Sequence, residues 1–153
     1  MSHRKLVVAL LAALVVTPAM ALDAEQAQKA TETRQSVLTV VGWSIGPLGA
    51  MARGLVPYDA DLVARNAQRI AWMSSMIPDA FRADTREHAV ETEALPVIWE
   101  NYARFEELAA NAQASAERLA EVAASGDEAA GKQAIGALID DCRACHNDFR
   151  LKD

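Results

Sequence analysis

Two cysteines, the only pair in the chain, stand three residues apart in Cys142-Arg143-Ala144-Cys145-His146, and a histidine directly follows the second. On a helix, residues i and i+3 share one face. Both sulfurs can then reach the two vinyl groups along one edge of a porphyrin, and His146 can project its imidazole to the iron. This is the c-type haem attachment pattern, with one haem c per chain held covalently through Cys142 and Cys145 and ligated by His146. Two other chemistries use related spacings. A dithiol redox motif normally accompanies a βαβ unit, which the hydrophobic pattern here does not contain. A structural zinc site needs four ligands, and only His88 and carboxylates remain to complete one.

His146 lies seven residues from the end of the sequence, and no methionine follows it. Any second protein ligand must therefore come from an earlier element, with Met51, Met73, Met76 and His88 as candidates. His88 reads as a solvated surface residue, Met73 and Met76 as core packing, and Met51 as off the apolar stripe of its helix.

Four helical segments are expected to position this motif. The first runs from about Asp23 to Met51, with Arg34, Leu38, Val41, Ile45 and Leu48 repeating at steps of four and three. Gly42, Gly46, Pro47 and Gly49 predict a weak or kinked second half. The second starts at Asp59 or Asp61, carries Val63, Ala67, Ile70, Met73 and Ile77 on one face, and is closed by Pro78. Residues 78–95 show no clean period. The third opens near Pro96, continues through Tyr102, Phe105, Ala109, Ala112, Ala116 and Leu119, and stops at Ser125-Gly126. The fourth opens at Asp127 and reaches about Leu151, with Ile135, Leu138, Cys142, Cys145 and Phe149 aligned. Four amphipathic segments with short links predict an all-α, antiparallel four-helix bundle with covalently attached haem.

Composition agrees. Of 153 residues, 52% are hydrophobic and 24% charged, enough apolar material for one core and too little charge excess for disorder. Fifteen basic residues against twenty-one acidic ones exclude the basic surface that phosphate binding requires, so no nucleic-acid partner is expected. Arg4 and Lys5, the uncharged run Leu6 to Val16, and Pro18-Ala19-Met20-Ala21 form a secretory signal peptide over residues 1–21. Eleven apolar residues fall short of the roughly 20 that span a bilayer, so no membrane contact is expected after cleavage. Removing residues 1–21 takes away two basic residues and no acidic one, moving the formal charge from −6 to −8. Residues 22–153 then form the bundle, an exported domain most simply placed in the periplasm. Eight aromatics and many alanines leave limited bulk for four long helices, and a flat macrocycle would fill that space.

The sequence resembles cytochrome c′, a class II c-type cytochrome. The residues that carry the resemblance are Cys142-Arg143-Ala144-Cys145-His146-Asn147-Asp148-Phe149-Arg150, Arg34-Gln35-Ser36-Val37-Leu38, Pro57-Tyr58-Asp59-Ala60 and Ile98-Trp99. The resemblance implies a periplasmic homodimer with high-spin, pentacoordinate iron bound by His146. It further implies binding of nitric oxide and carbon monoxide, and electron transfer with an unidentified periplasmic redox partner. It places Leu38 over the vacant iron face, Arg34 at the haem edge with Gln35 beside it, and Arg150 on the proximal side. Phe149 stands where tyrosine is common. The alternative is a six-coordinate class II cytochrome acting purely as an electron carrier. An enzyme would want acid–base groups over the iron, and Leu38 offers none. On the first helix Ser36, Val40, Trp43 and Pro47 fall opposite the Leu38 stripe, and this apolar surface is the expected dimer face.

Overall fold

The computed structural model describes residues 22–152; the expected signal peptide lies outside them. Five helices follow in order: α1 (Ala24–Ala52), α2 (Ala60–Phe81), α3 (Val97–Glu100), α4 (Tyr102–Ala124) and α5 (Glu128–Phe149). The four long ones form the antiparallel bundle, with α2 packed on both α1 and α4, and α5 closing against α4 and α1. Among the described residues, no helix is long and apolar enough to cross a membrane.

Three aspartates start three of the long helices. Asp23, Asp59 and Asp127 each accept a hydrogen bond from the backbone N–H three residues on, satisfying a donor that the first turn leaves free. Asp23 and Gln26 complete a capping box. Gly126 ends the α4 connection at φ +74, a left-handed conformation that a side chain would strain.

Several boundaries depart from the sequence reading. α1 runs unbroken through Pro47 to Ala52. Its second half is clasped from α2, where Asn66 Nδ2 donates to the Ser44 carbonyl at 3.0 Å. α2 continues three residues past Pro78. The missing N–H of Pro78 removes one bond, but Phe81 is buried against Phe105 and the Tyr102 hydroxyl donates to the Pro78 carbonyl. The third segment is split at Asn101, whose φ of −127 and ψ of 50 leave helical geometry. α5 stops at Phe149, because residues 150–151 turn to pair with 93–95. Met51 is buried in the core and Met76 is 47% exposed, the reverse of the pattern-based expectation; Met76 sits one position off the Met73–Ile77 face.

The interior divides into two clusters. Leu48, Val63, Ile70, Leu119, Ile135 and Leu138 fill one. Phe81, Ile98, Phe105, Leu108 and Phe149 form the other, beside the haem motif.

Candidate functional site

A cavity of about 890 Å³ opens between α1 and α5 at the aromatic end. Cys142, Cys145 and His146 line it from α5, while Arg34, Gln35 and Leu38 line it from α1, and Arg150 lies at its edge. Every site residue expected from the sequence therefore meets in one space. Ile77, Leu108, Ala109 and Ala112 supply apolar wall, which suits a flat ligand with an apolar centre.

The thiols are half-buried and unpaired. Burial raises both, pushing Cys145 up to about 11, with Cys142 and Asp148 adding to the effect. A redox Cys-X-X-Cys pair needs the opposite, a depressed thiol beside positive charge. Among the described residues, no three His, Cys, Asp or Glu side chains gather into a metal-holding group, so the zinc reading lacks its ligands. Burial lowers the His146 imidazole, Arg150 lowers it further, and Glu93 opposes both. The imidazole is thereby favoured in the neutral form that ligates metal.

Arg34, the one charge on its apolar stripe and expected at the haem edge, is 2% exposed. Its guanidinium lies 5.1 Å from the ring centres of both Phe81 and Trp99, a cation–π arrangement that offsets part of the burial. Nη2 donates to the Ala83 carbonyl and to Thr85 Oγ1. Nε and Nη1 have no partner. Burial lowers its pKa, and the charge of Asp84 works against that. Two orphaned donors on a cavity wall fit a haem carboxylate, because a buried cation needs an anion to complete it.

Leu38 is 40% exposed, since its side of α1 faces the cavity and not another helix. Gln35 Nε2 donates to the Glu91 carbonyl at 3.1 Å. Arg150 pairs with Glu93 at 2.7 Å. Sequence reasoning missed Thr85, Glu93 and the Phe81 and Trp99 rings that flank Arg34. The signal for the last was available, because an arginine on an apolar stripe needs aromatic or acidic neighbours if it turns inward. Of the candidate second ligands, none of Met51, Met73, Met76 and His88 lines the cavity.

The family pattern described as cytochrome C′ matches residues 29–150. A cytochrome c′ from Halomonas halodenitrificans is 37% identical over 129 residues, covering 82% of this chain and 98% of its own. The structure of cytochrome c prime from Shewanella frigidimarina superposes with a TM-score of 0.77 at 30% identity, covering 85% of this chain and all of that one. A nitric oxide complex of a cytochrome c prime variant from Alcaligenes xylosoxidans gives 0.73 at 28% identity, covering 83% and 97%.

Proposed function

The chain belongs to the cytochrome c′ family, with haem c as its cofactor, and from that premise we propose an exported haem protein that captures a neutral diatomic gas and takes part in electron transfer. The observation that carries this reading is the meeting of Cys142, Cys145, His146, Arg34 and Leu38 around one cavity. Bound there, haem would supply a redox-active iron able to take a small ligand. Cys142 and Cys145 would hold it covalently, and His146 would ligate its iron. Arg34 offers its two free donors to a carboxylate, and Gln35 and Arg150 line the same rim.

Leu38 governs the open face. Its side chain has no lone pair to donate, so it would leave the iron's open side without a second protein ligand and hinder the entry of water. A dry apolar face disfavours an entering anion but not nitric oxide or carbon monoxide, and a variant of the Alcaligenes relative has been captured with nitric oxide. None of the cavity's α1 residues near Leu38 is a general acid or base: Thr39 and Val41 flank it. A binding and electron-transfer role fits this wall, and acid–base catalysis does not. The signal-peptide pattern over residues 1–21 supports a periplasmic location.

Acidified organic solvent should leave haem on the wild type and extract all of it from the Cys142→Ala, Cys145→Ala double variant. The wild-type optical and EPR spectra should be high-spin. A low-spin wild type overturns the open site, and solvent-extractable haem overturns covalent attachment.

A homodimer through the first helix completes the reading. Val40, Trp43 and Pro47 are exposed on α1, with Trp43 at 65%, and Trp72 and Met76 extend the apolar surface onto α2. The Arg69 guanidinium lies 5.2 Å from the centre of the Trp43 ring and steadies it. Patches of this kind mark association surfaces. Trp43→Glu should shift sedimentation at micromolar concentration from dimer toward monomer; a monomeric wild type contradicts the interface.

A further inference from the structure

Residues 82–96 connect α2 to α3 without forming a helix of their own. They run across one end of the cavity and give it the wall Glu91–Ala94. Few attachments hold them. The Glu93–Arg150 pair, the Arg86–Glu100 pair to α3 and the Gln35–Glu91 bond lie at the surface, and such pairs contribute at most about 1 kcal/mol. Two backbone bonds join Leu95 to Phe149 and Leu151 to Glu93, at 2.9 and 2.8 Å. The attachment with both partners buried is Arg34 Nη2 to Thr85 Oγ1 at 3.1 Å, and Thr85 is 2% exposed.

Arg34 is therefore two-sided. One nitrogen grips Ala83 and Thr85 of the connection. The other two, Nε and Nη1, are buried and unpartnered on a residue that lines the cavity. The rings of Phe81 and Trp99 flank the guanidinium at 5.1 Å each, and Trp99 is itself fixed by its indole N–H donating to the Phe81 carbonyl at 2.9 Å. A buried cation with free donors is costly, and an anion in the cavity removes that cost.

We propose that residues 82–96 are a lid over the cofactor cavity and that Arg34 is the positioning residue that locks it. The same guanidinium that meets a carboxylate of the bound group holds Thr85, so filling the cavity and closing the lid stabilise each other. Lysine cannot replace it, because a single ammonium lacks the planar fork that serves both sides. This inference rests on the haem reading above.

Hydrogen exchange on the haem-loaded protein tests it. Wild type, Thr85→Val and Arg34→Lys are compared; Thr85→Val removes the lid's own contact without touching the cavity. Amides of residues 83–95 should exchange at least tenfold faster in both variants, while those within α4 keep their wild-type rates. Unchanged exchange over 83–95 in either variant overturns the lid. An equal acceleration in α4 also overturns it, since that marks global destabilisation. Intact mass keeps the two readings apart. A wild-type chain without covalent haem overturns the haem reading, whereas haem-bearing protein with an unmoved lid overturns this inference alone.

Discussion

At one end of the bundle Leu48, Ile70, Leu119, Ile135 and Leu138, drawn from all four long helices, meet with no side-chain surface left to solvent. At the other, Phe105 packs tilted on Phe81 and edge to face with Phe149, with ring centres 4.9 and 5.3 Å apart, yet they enclose an opening. All five buried residues of this aromatic cluster line the cavity, and none of the eleven in the aliphatic cluster does. Aliphatic side chains interdigitate to a complete interior. Rigid rings hold a gap open, and a flat ligand with apolar faces can complete the packing there. Stability and function are thus divided along the bundle's length.

The same truncation at each end should expose the division. Leu138→Ala removes a side chain that is fully buried, and an internal void of that kind costs about 2–5 kcal/mol. Leu38→Ala, in the same kind of apolar stripe, removes one that is 40% exposed and faces the cavity. Its cost should be smaller than that of Leu138→Ala, while carbon monoxide binding to the ferrous protein becomes faster. Urea unfolding of the haem-loaded variants measures the first effect and flash photolysis the second. Equal destabilisation by the two truncations would erase the distinction, and unchanged gas kinetics would remove Leu38 as the gate.

The sequence made the aliphatic end easy to read and the aromatic end hard. Heptad spacing located Ile70, Leu119, Ile135 and Leu138, because helix–helix packing repeats with the helix and leaves a periodic trace. Asp127 announced its helix start, and Asp59 or Asp61 the start of α2, by chemistry that acts within three residues. The Cys142–His146 motif was equally legible, since its function is fixed by local spacing. The remainder depends on long-range partners. Arg34 is a lone charge on an apolar stripe until Phe81, Trp99 and Thr85, all distant in sequence, close around it. The connection over residues 82–96 has no periodicity because its bonds go to α1 and to the end of α5. Pro78 was a sound local stop signal that aromatic packing overrode.

A second test concerns how tightly the aliphatic end is filled. A Cβ added at Gly131 would overlap the Tyr58 phenol oxygen and stand 2.6 Å from Cζ. Overpacking typically costs about 1–3 kcal/mol, and the better helix propensity of alanine returns up to about 1. Gly131→Ala should therefore destabilise by about 1 kcal/mol. Gly136→Ala, on the same helix with open space around the added carbon, should stabilise slightly. If the two variants unfold at the same urea concentration, Gly131 is not the close approach that the geometry describes.

The smallest effect separates one tyrosine at each end. The Tyr102 hydroxyl donates to the Pro78 carbonyl beside the aromatic cluster, whereas the Tyr58 hydroxyl, at the aliphatic end, is buried without a partner. Tyr102→Phe deletes a made bond and should cost about 1 kcal/mol at neutral pH; Tyr58→Phe deletes an unmade one and should be neutral or slightly stabilising. Alkaline pH adds a second readout. Burial raises both phenols, with Glu128 and Asp127 adding to the shift at Tyr58 and Glu106 adding at Tyr102. An unfolded tyrosine ionises near pH 10 or so, so the unfolded chain loses these protons first. Stability is whole below that value and falls as pH rises from it through the higher folded values. Removing either phenol should make the alkaline fall shallower, yet only Tyr102→Phe should begin from a lower neutral plateau. Urea midpoints from pH 8 to 11 measure both features, and equal plateaus for the two variants would mean that the Pro78 bond contributes nothing to the aromatic end.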